Sequence, residues 1–175
     1  MRVLIFHGYL LRGTGSNVYN ASLATALARL GHEVHLVCQD RDPESAGLAL
    51  DGITIYNPDI GRVLPVYVAD RYEGFDAKPF LTCTDEELEA YIDANAAAVR
   101  DVAARARPDV ALANHLVMGP LILARALGDD VPYAVKIHGS AQEYVVKPDP
   151  ERFGPYAREG ALPINIVISP SVIVM

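Results

Sequence analysis

The sequence predicts an α/β fold, a doubly wound and mostly parallel sheet with helices on both faces, and three observations carry that expectation. Short apolar runs recur at Val3 to Phe6, Val34 to Cys38, Ile53 to Tyr56, Val110 to Ala113, Tyr133 to Ile137 and Ile164 to Ile168, as strands buried on both faces do. Helical patterns separate several of these runs. Finally, the glycines of "FHGYLLRGTGSNVYNASLATALARLGHEV", residues 6–34, fall between the first run and the first helical pattern, where an open parallel sheet turns from strand to helix.

The first helix is expected to take Ser16 as its N-cap, to turn Tyr19, Leu23, Leu27 and Leu30 toward the sheet, and to end at Gly31. In the second, Thr84 and Glu87 have capping-box spacing ahead of Leu88, Ile92, Ala96, Val99 and Ala103, and Arg105 and Arg107 complement its C-terminus. "VMGPLILARALGDD" reads as a third helix and the stretch from Arg152 to Ala161 as a fourth. Residues 57–83 break the alternation with Pro58, Pro65 and Pro79 among Tyr67, Tyr72, Phe75 and Phe80. Such a segment is either packed down by its own aromatics or a binding flap that offers flat rings to a ligand's apolar faces.

The chain has 175 residues, 51% hydrophobic and 21% charged, as a soluble globular domain has. A formal net charge of −7 disfavours nucleic acid and anionic lipid as general partners. Cys38 and Cys83 form no C-x-x-C pair, and no signal segment or apolar run of membrane-spanning length is present, so a reduced, cytoplasmic setting is expected. Peripheral contact with a membrane that carries a lipid-linked substrate remains compatible with this.

Ligands of open parallel sheets bind beyond the carboxyl ends of the strands. His7, His115 and His138 follow the first, fourth and fifth expected strands, whereas His32 and His35 lie at and within the second and read as structural. No local metal-binding spacing is present, and no metal is expected. Gly13, Thr14, Gly15 and Ser16 lie where free backbone N–H groups and the positive end of a helix would meet a diphosphate. The dinucleotide fingerprint fails, because its third glycine position is Val18, although Asp40 stands where a ribose-binding acid would be.

In order along nearly the whole chain, "GTGSNVYNASLATALARLGHEVHLV", "RPDVALANHL", "VPYAVKIHGSAQEY" and "REGALPINIVISPS" resemble the landmarks of the N-terminal domain of retaining GT-B glycosyltransferases of the family 4 type. The resemblance implies one Rossmann-like half of a GT-B fold, residues 1–175 being the acceptor-side domain. It also implies a nucleotide-sugar donor as co-substrate, an unknown acceptor, and no cofactor or metal ion. By motif, His138 is the catalytic histidine beside the transferred sugar, and the loop at Gly13, Thr14, Gly15 and Ser16 approaches the donor diphosphate. His115, Ser140, Glu143 and Tyr144 match segments that contact sugar or acceptor. Thr14 stands where many relatives have another glycine. The chain stops at "ISPSVIVM", so the C-terminal donor-binding domain is expected to be missing and the piece to be inactive alone. Two other readings stay open: a non-enzymatic module for a phosphorylated or glycosylated ligand, and a nicotinamide-dependent enzyme.

Overall fold

The computed structural model describes residues 1–48, 51–68, 72, 74–162 and 166–168. In chain order the elements are β1 (Arg2–Phe6), α1 (Gly15–Arg29), β2 (Glu33–Val37), β3 (Ile53–Tyr56), β4 (Val63–Val66), β5 (Asp76–Pro79) and α2 (Asp85–Ala106). There follow β6 (Val110–Asn114), α3 (Gly119–Leu127), β7 (Tyr133–Lys136), α4 (Gly139–Ala141, continued as a π-helical turn over Gln142–Val146), α5 (Pro150–Ala161) and β8 (Ile166–Ile168). Six strands form one sheet in the order β3-β2-β1-β6-β7-β8, every neighbouring pair parallel. This is the Rossmann-like arrangement expected, with the order reversing direction at β1. Of the expected strand Ile164–Ile168, residues 164–165 lie outside the described residues, as do 169–175.

Side chains alternate across the sheet, so β1 feeds two cores. Val3 and Ile5 join Val34, Leu36 and Cys38 beneath α1. On the opposite face Leu4 and Phe6 join Ala111, Ala113 and Val135 beneath α2, α3 and α5. One expectation fails at the edge: β3 is only partly buried, because among the described residues no strand pairs with its outer side.

Helix α1 also departs from its pattern. Its buried residues are Asn17, Asn20, Ala21 and Ala24, while Leu23 and Leu27 pack at the margin and Leu30 is exposed. Small side chains let α1 approach the sheet closely, and the two asparagines are buried because they find polar partners there. The capping box of α2 is present as read: Glu87 N–H donates to Thr84 Oγ1 and Thr84 N–H to the Glu87 carboxylate. Arg107 ends that helix in the left-handed region, φ 48°.

Two glycines set how closely α3 can lie. A Cβ on Gly119 would stand 2.5 Å from the Asn114 carbonyl oxygen, and one on Gly160 of α5 2.5 Å from the Leu121 nitrogen. Tyr133 seals the same junction by donating to the Gly160 carbonyl at 2.8 Å. The segment 57–83 contains β4 and β5, paired in parallel as a separate two-stranded sheet, which its prolines concealed. Phe80 is wholly buried in the core, and Tyr67, Tyr72 and Phe75 pack against it.

Candidate active site

Strands β1, β6 and β7 end on one rim of the sheet, and His7, His115 and His138 stand just beyond them. After β1 the chain crosses to α1 on one face, while α2 and α3 around β6 lie on the other. Diverging connections leave a crevice at that rim.

The loop from β1 to α1 forms one wall. Gly13 has φ +92°, a conformation that favours glycine, and α1 begins at Gly15. Ser16 is not the N-cap, as expected, but the second helical residue. Thr14 holds the cap position without a side-chain cap bond, its Oγ1 lying 3.2 Å from Ser16 Oγ. A Cβ built on Gly15 meets nothing within 4 Å, so the space over the helix start is open. Asp40 holds the base of the loop: its buried carboxylate accepts from Leu11 N–H at 2.9 Å and Asp42 N–H at 3.0 Å, with Arg12 3.7 Å away. The acid that a nicotinamide enzyme would turn to a ribose is here committed to the loop.

Behind the loop runs a line of polar groups, buried at His7, Asn17, Asn20 and Asn114 and half-buried at His138. His138 Nε2 is 3.1 Å from Asn114 Oδ1, Asn114 Nδ2 donates to Asn20 Oδ1 at 2.7 Å, and Asn20 Nδ2 is 3.1 Å from His7 Nδ1. His7 Nε2 is in turn 2.9 Å from Asn17 Oδ1 and 3.0 Å from the Leu10 carbonyl. Burial takes His7 down to about 4 against a partial opposing effect of these bonds. Desolvation likewise holds His115 well below, and His138 below, the ordinary imidazole value, with Lys136 adding to the effect at His138. The Lys136 ammonium lies 4.5 Å from the centre of the Tyr19 ring, whose edge meets His138 at 5.7 Å.

A cavity of about 300 Å³ opens between loop and rim. Thr14, Ser16 and Asn17 line one side, His115 and Ser140 another, and Tyr9, Tyr67, Val68 and Tyr72 the rest. Segment 57–83 is therefore both packed by its aromatics and part of the wall. His115, at φ 68°, is buried with Nδ1 3.4 Å from Ser140 Oγ and Nε2 without a partner among the described residues. Its ring lies 4.4 Å from that of Tyr67, whose hydroxyl donates to the Val117 carbonyl, and 5.0 Å from that of His138.

Of the residues singled out from the sequence, Thr14, Ser16, His115 and Ser140 meet at this cavity, and His138 stands directly behind His115. Glu143 and Tyr144 do not line it. Glu143 pairs with Lys147 at 2.5 Å on the surface, and Tyr144 is half exposed. Sequence reasoning missed Tyr9, Asn17, Asn20 and Asn114. The available signal was two asparagines three residues apart within an otherwise small and apolar helix face. Among the described residues no group of three or more His, Cys, Asp or Glu side chains gathers as a metal site, and no helix is long and apolar enough to cross a membrane.

No curated protein matches the chain. Among solved structures it is similar to the UDP-GlcNAc 2-epimerase of Neisseria meningitidis bound to UDP-GlcNAc, at TM-score 0.57 and 15% identity over 98% of this chain and 40% of that one. It is also similar to the sucrose-phosphate synthase of Thermosynechococcus elongatus, at TM-score 0.59 and 13% identity over 95% and 41%. A third likeness is to MurG of Acinetobacter baumannii, at TM-score 0.51 and 16% identity over 96% and 41%. The chain thus spans about two fifths of the length of these structures, and at such identities the likeness establishes the fold, one Rossmann-like half of the GT-B architecture. The family assignment rests on a match over residues 14–162, from the glycine loop through α5: the chain belongs to the glycosyl transferase 4-like domain family.

Proposed function

We propose that this domain is the acceptor-side half of a glycosyltransferase that moves a sugar from a nucleotide-sugar donor to an acceptor with retention, and that transfer needs a second, donor-binding domain. The observation that carries the reading is the juxtaposition of the open start of α1 with His138 and His115 around one rim. Amides at Gly15 and Ser16 suit the donor diphosphate, and the missing Cβ of Gly15 lets it come close. As the glycosidic bond to the diphosphate breaks, charge grows on the departing oxygens. Donors fixed in advance stabilise that state more than the ground state. His138 orients the transferred sugar by hydrogen bonding.

On this reading the work falls to fixed backbone amides and imidazoles, with neither a protein nucleophile nor a resident metal. The cavity walls by Tyr9, Tyr67 and Tyr72 suit the apolar face of an acceptor, and the Nε2 of His115, without a partner among the described residues, suits a polar group on it. The test is transfer by the complete protein that carries this domain, assayed against a panel of nucleotide sugars. His138→Ala is expected to lower kcat by about 10²-fold, the order that loss of one fixed polar contact to a transition state costs. Equal rates in variant and wild type would remove His138 from the chemistry, and transfer by the 175-residue chain alone would overturn the need for a second domain.

A further inference from the structure

The backbone carbonyls of Leu10, Arg12 and Ser16 only accept hydrogen bonds, and they fix the direction of every bond between the glycine loop and His138. Asn17 turns its Nδ2 to the Arg12 carbonyl at 2.7 Å, which leaves its Oδ1 facing His7 Nε2. That nitrogen also faces the Leu10 carbonyl, so it carries the hydrogen. Asn20 must likewise present Nδ2 to the Ser16 carbonyl at 2.8 Å, and the second hydrogen of the same amide points at the lone pair of His7 Nδ1. Asn20 Oδ1 is thereby an acceptor and Asn114 meets it with Nδ2. The remaining atom, Asn114 Oδ1, faces His138 Nε2, which must then be N–H. Reversing any amide would set two acceptors against each other inside the protein, at a cost of several hydrogen bonds.

We infer that Asn114, Asn20 and His7 are positioning residues that lock His138 as its Nε2–H tautomer, leaving Nδ1 to accept a hydrogen bond from a ligand hydroxyl. Among the described residues no hydrogen bond reaches that Nδ1. The site is thereby selective at one point: a hydroxyl can donate to Nδ1, whereas an ether, carbonyl or fluoro group placed there meets a lone pair. The same three carbonyls belong to the glycine loop, so loop shape and imidazole tautomer are set together. That the hydroxyl belongs to the transferred sugar rests on the glycosyl-transfer reading, but the tautomer does not.

Long-range proton–nitrogen NMR of the nitrogen-15-labelled 175-residue chain reads the tautomer directly. Wild type is expected to show His138 as a single Nε2–H species at neutral pH. Asn114→Ala and Asn20→Ala are expected to lose that single signature and populate the Nδ1–H form. Ala24→Gly, which disturbs the same face of α1 without touching the line, is expected to retain it. An Nδ1–H imidazole in wild type overturns the inference whether or not any variant folds. So does a single Nε2–H species in folded Asn114→Ala. Neither result bears on whether His138→Ala abolishes transfer, so the two readings fail separately.

Discussion

His7 is enclosed by Asn17, Asn20, the Leu10 carbonyl and the edge of Tyr9, and burial keeps it neutral down to about pH 4. In the unfolded chain it returns to 6.5, so between these values the unfolded state binds more protons and stability falls as pH falls. His7 alone contributes about 3 kcal/mol that is present above pH 6.5 and lost on approaching pH 4. His115 and His138, also lowered, act in the same direction. Glu87, lowered chiefly by its bond from Lys78, and Asp109, lowered by Arg2, lose their contributions as pH falls through the range below their ordinary values of 4.5 and 3.8. The window between about pH 6.5 and 4.5 therefore reports on the histidines. Urea denaturation across it should show stability falling steadily, and a flat profile would mean that the three rings are hydrated. The histidines were legible from the sequence because the end of an apolar run marks the end of a strand. Their asparagine partners were not, since a polar residue within a helix reads as solvent-facing until a buried partner is known.

Among the elements, α2 was the most legible, because capping box and apolar stripe are both local signals. Helix α1 misled, because a leucine carries more apolar weight than an alanine in a sequence pattern, whereas the residues buried against the sheet are Ala21, Ala24 and two asparagines. Small residues also govern α3 and α5. At Gly160 a Cβ would lie 2.5 Å from the Leu121 nitrogen and 2.9 Å from the Pro120 carbonyl carbon, both backbone atoms that can yield only if the helices part. Gly160→Ala is expected to destabilise the fold by about 2 kcal/mol or more, seen as a lower Tm in thermal unfolding. An unchanged Tm would show that α5 can shift without loss.

For the molecule as a whole, the alternation of strands and helices was readable, but the order β3-β2-β1-β6-β7-β8 was not, since strand neighbours are a long-range choice that no local pattern encodes. The small β4–β5 sheet escaped for a related reason: Pro65 and Pro79 argue against strands, and only the paired structure shows where they are tolerated. The site was visible as three separate pieces, the glycine loop, "ANHL" and "KIHGS", and the sheet unites them. A prediction at this scale separates folding from binding. Gly15→Val has room in the fold, so Tm should hold, while the donor KM of the complete protein should rise about tenfold or more as the branched side chain fills the space above α1. A donor KM equal to wild type would place the diphosphate elsewhere.

The crevice at the rim exists because the connections after β1 and around β6 part company, whichever side chains happen to face it. Val68 and Ser140, which line it without belonging to either interior layer, can accordingly be rewritten to admit a different ligand while those layers stay intact. A scaffold wired in this way leaves chemical preference open to drift without endangering the architecture beneath it.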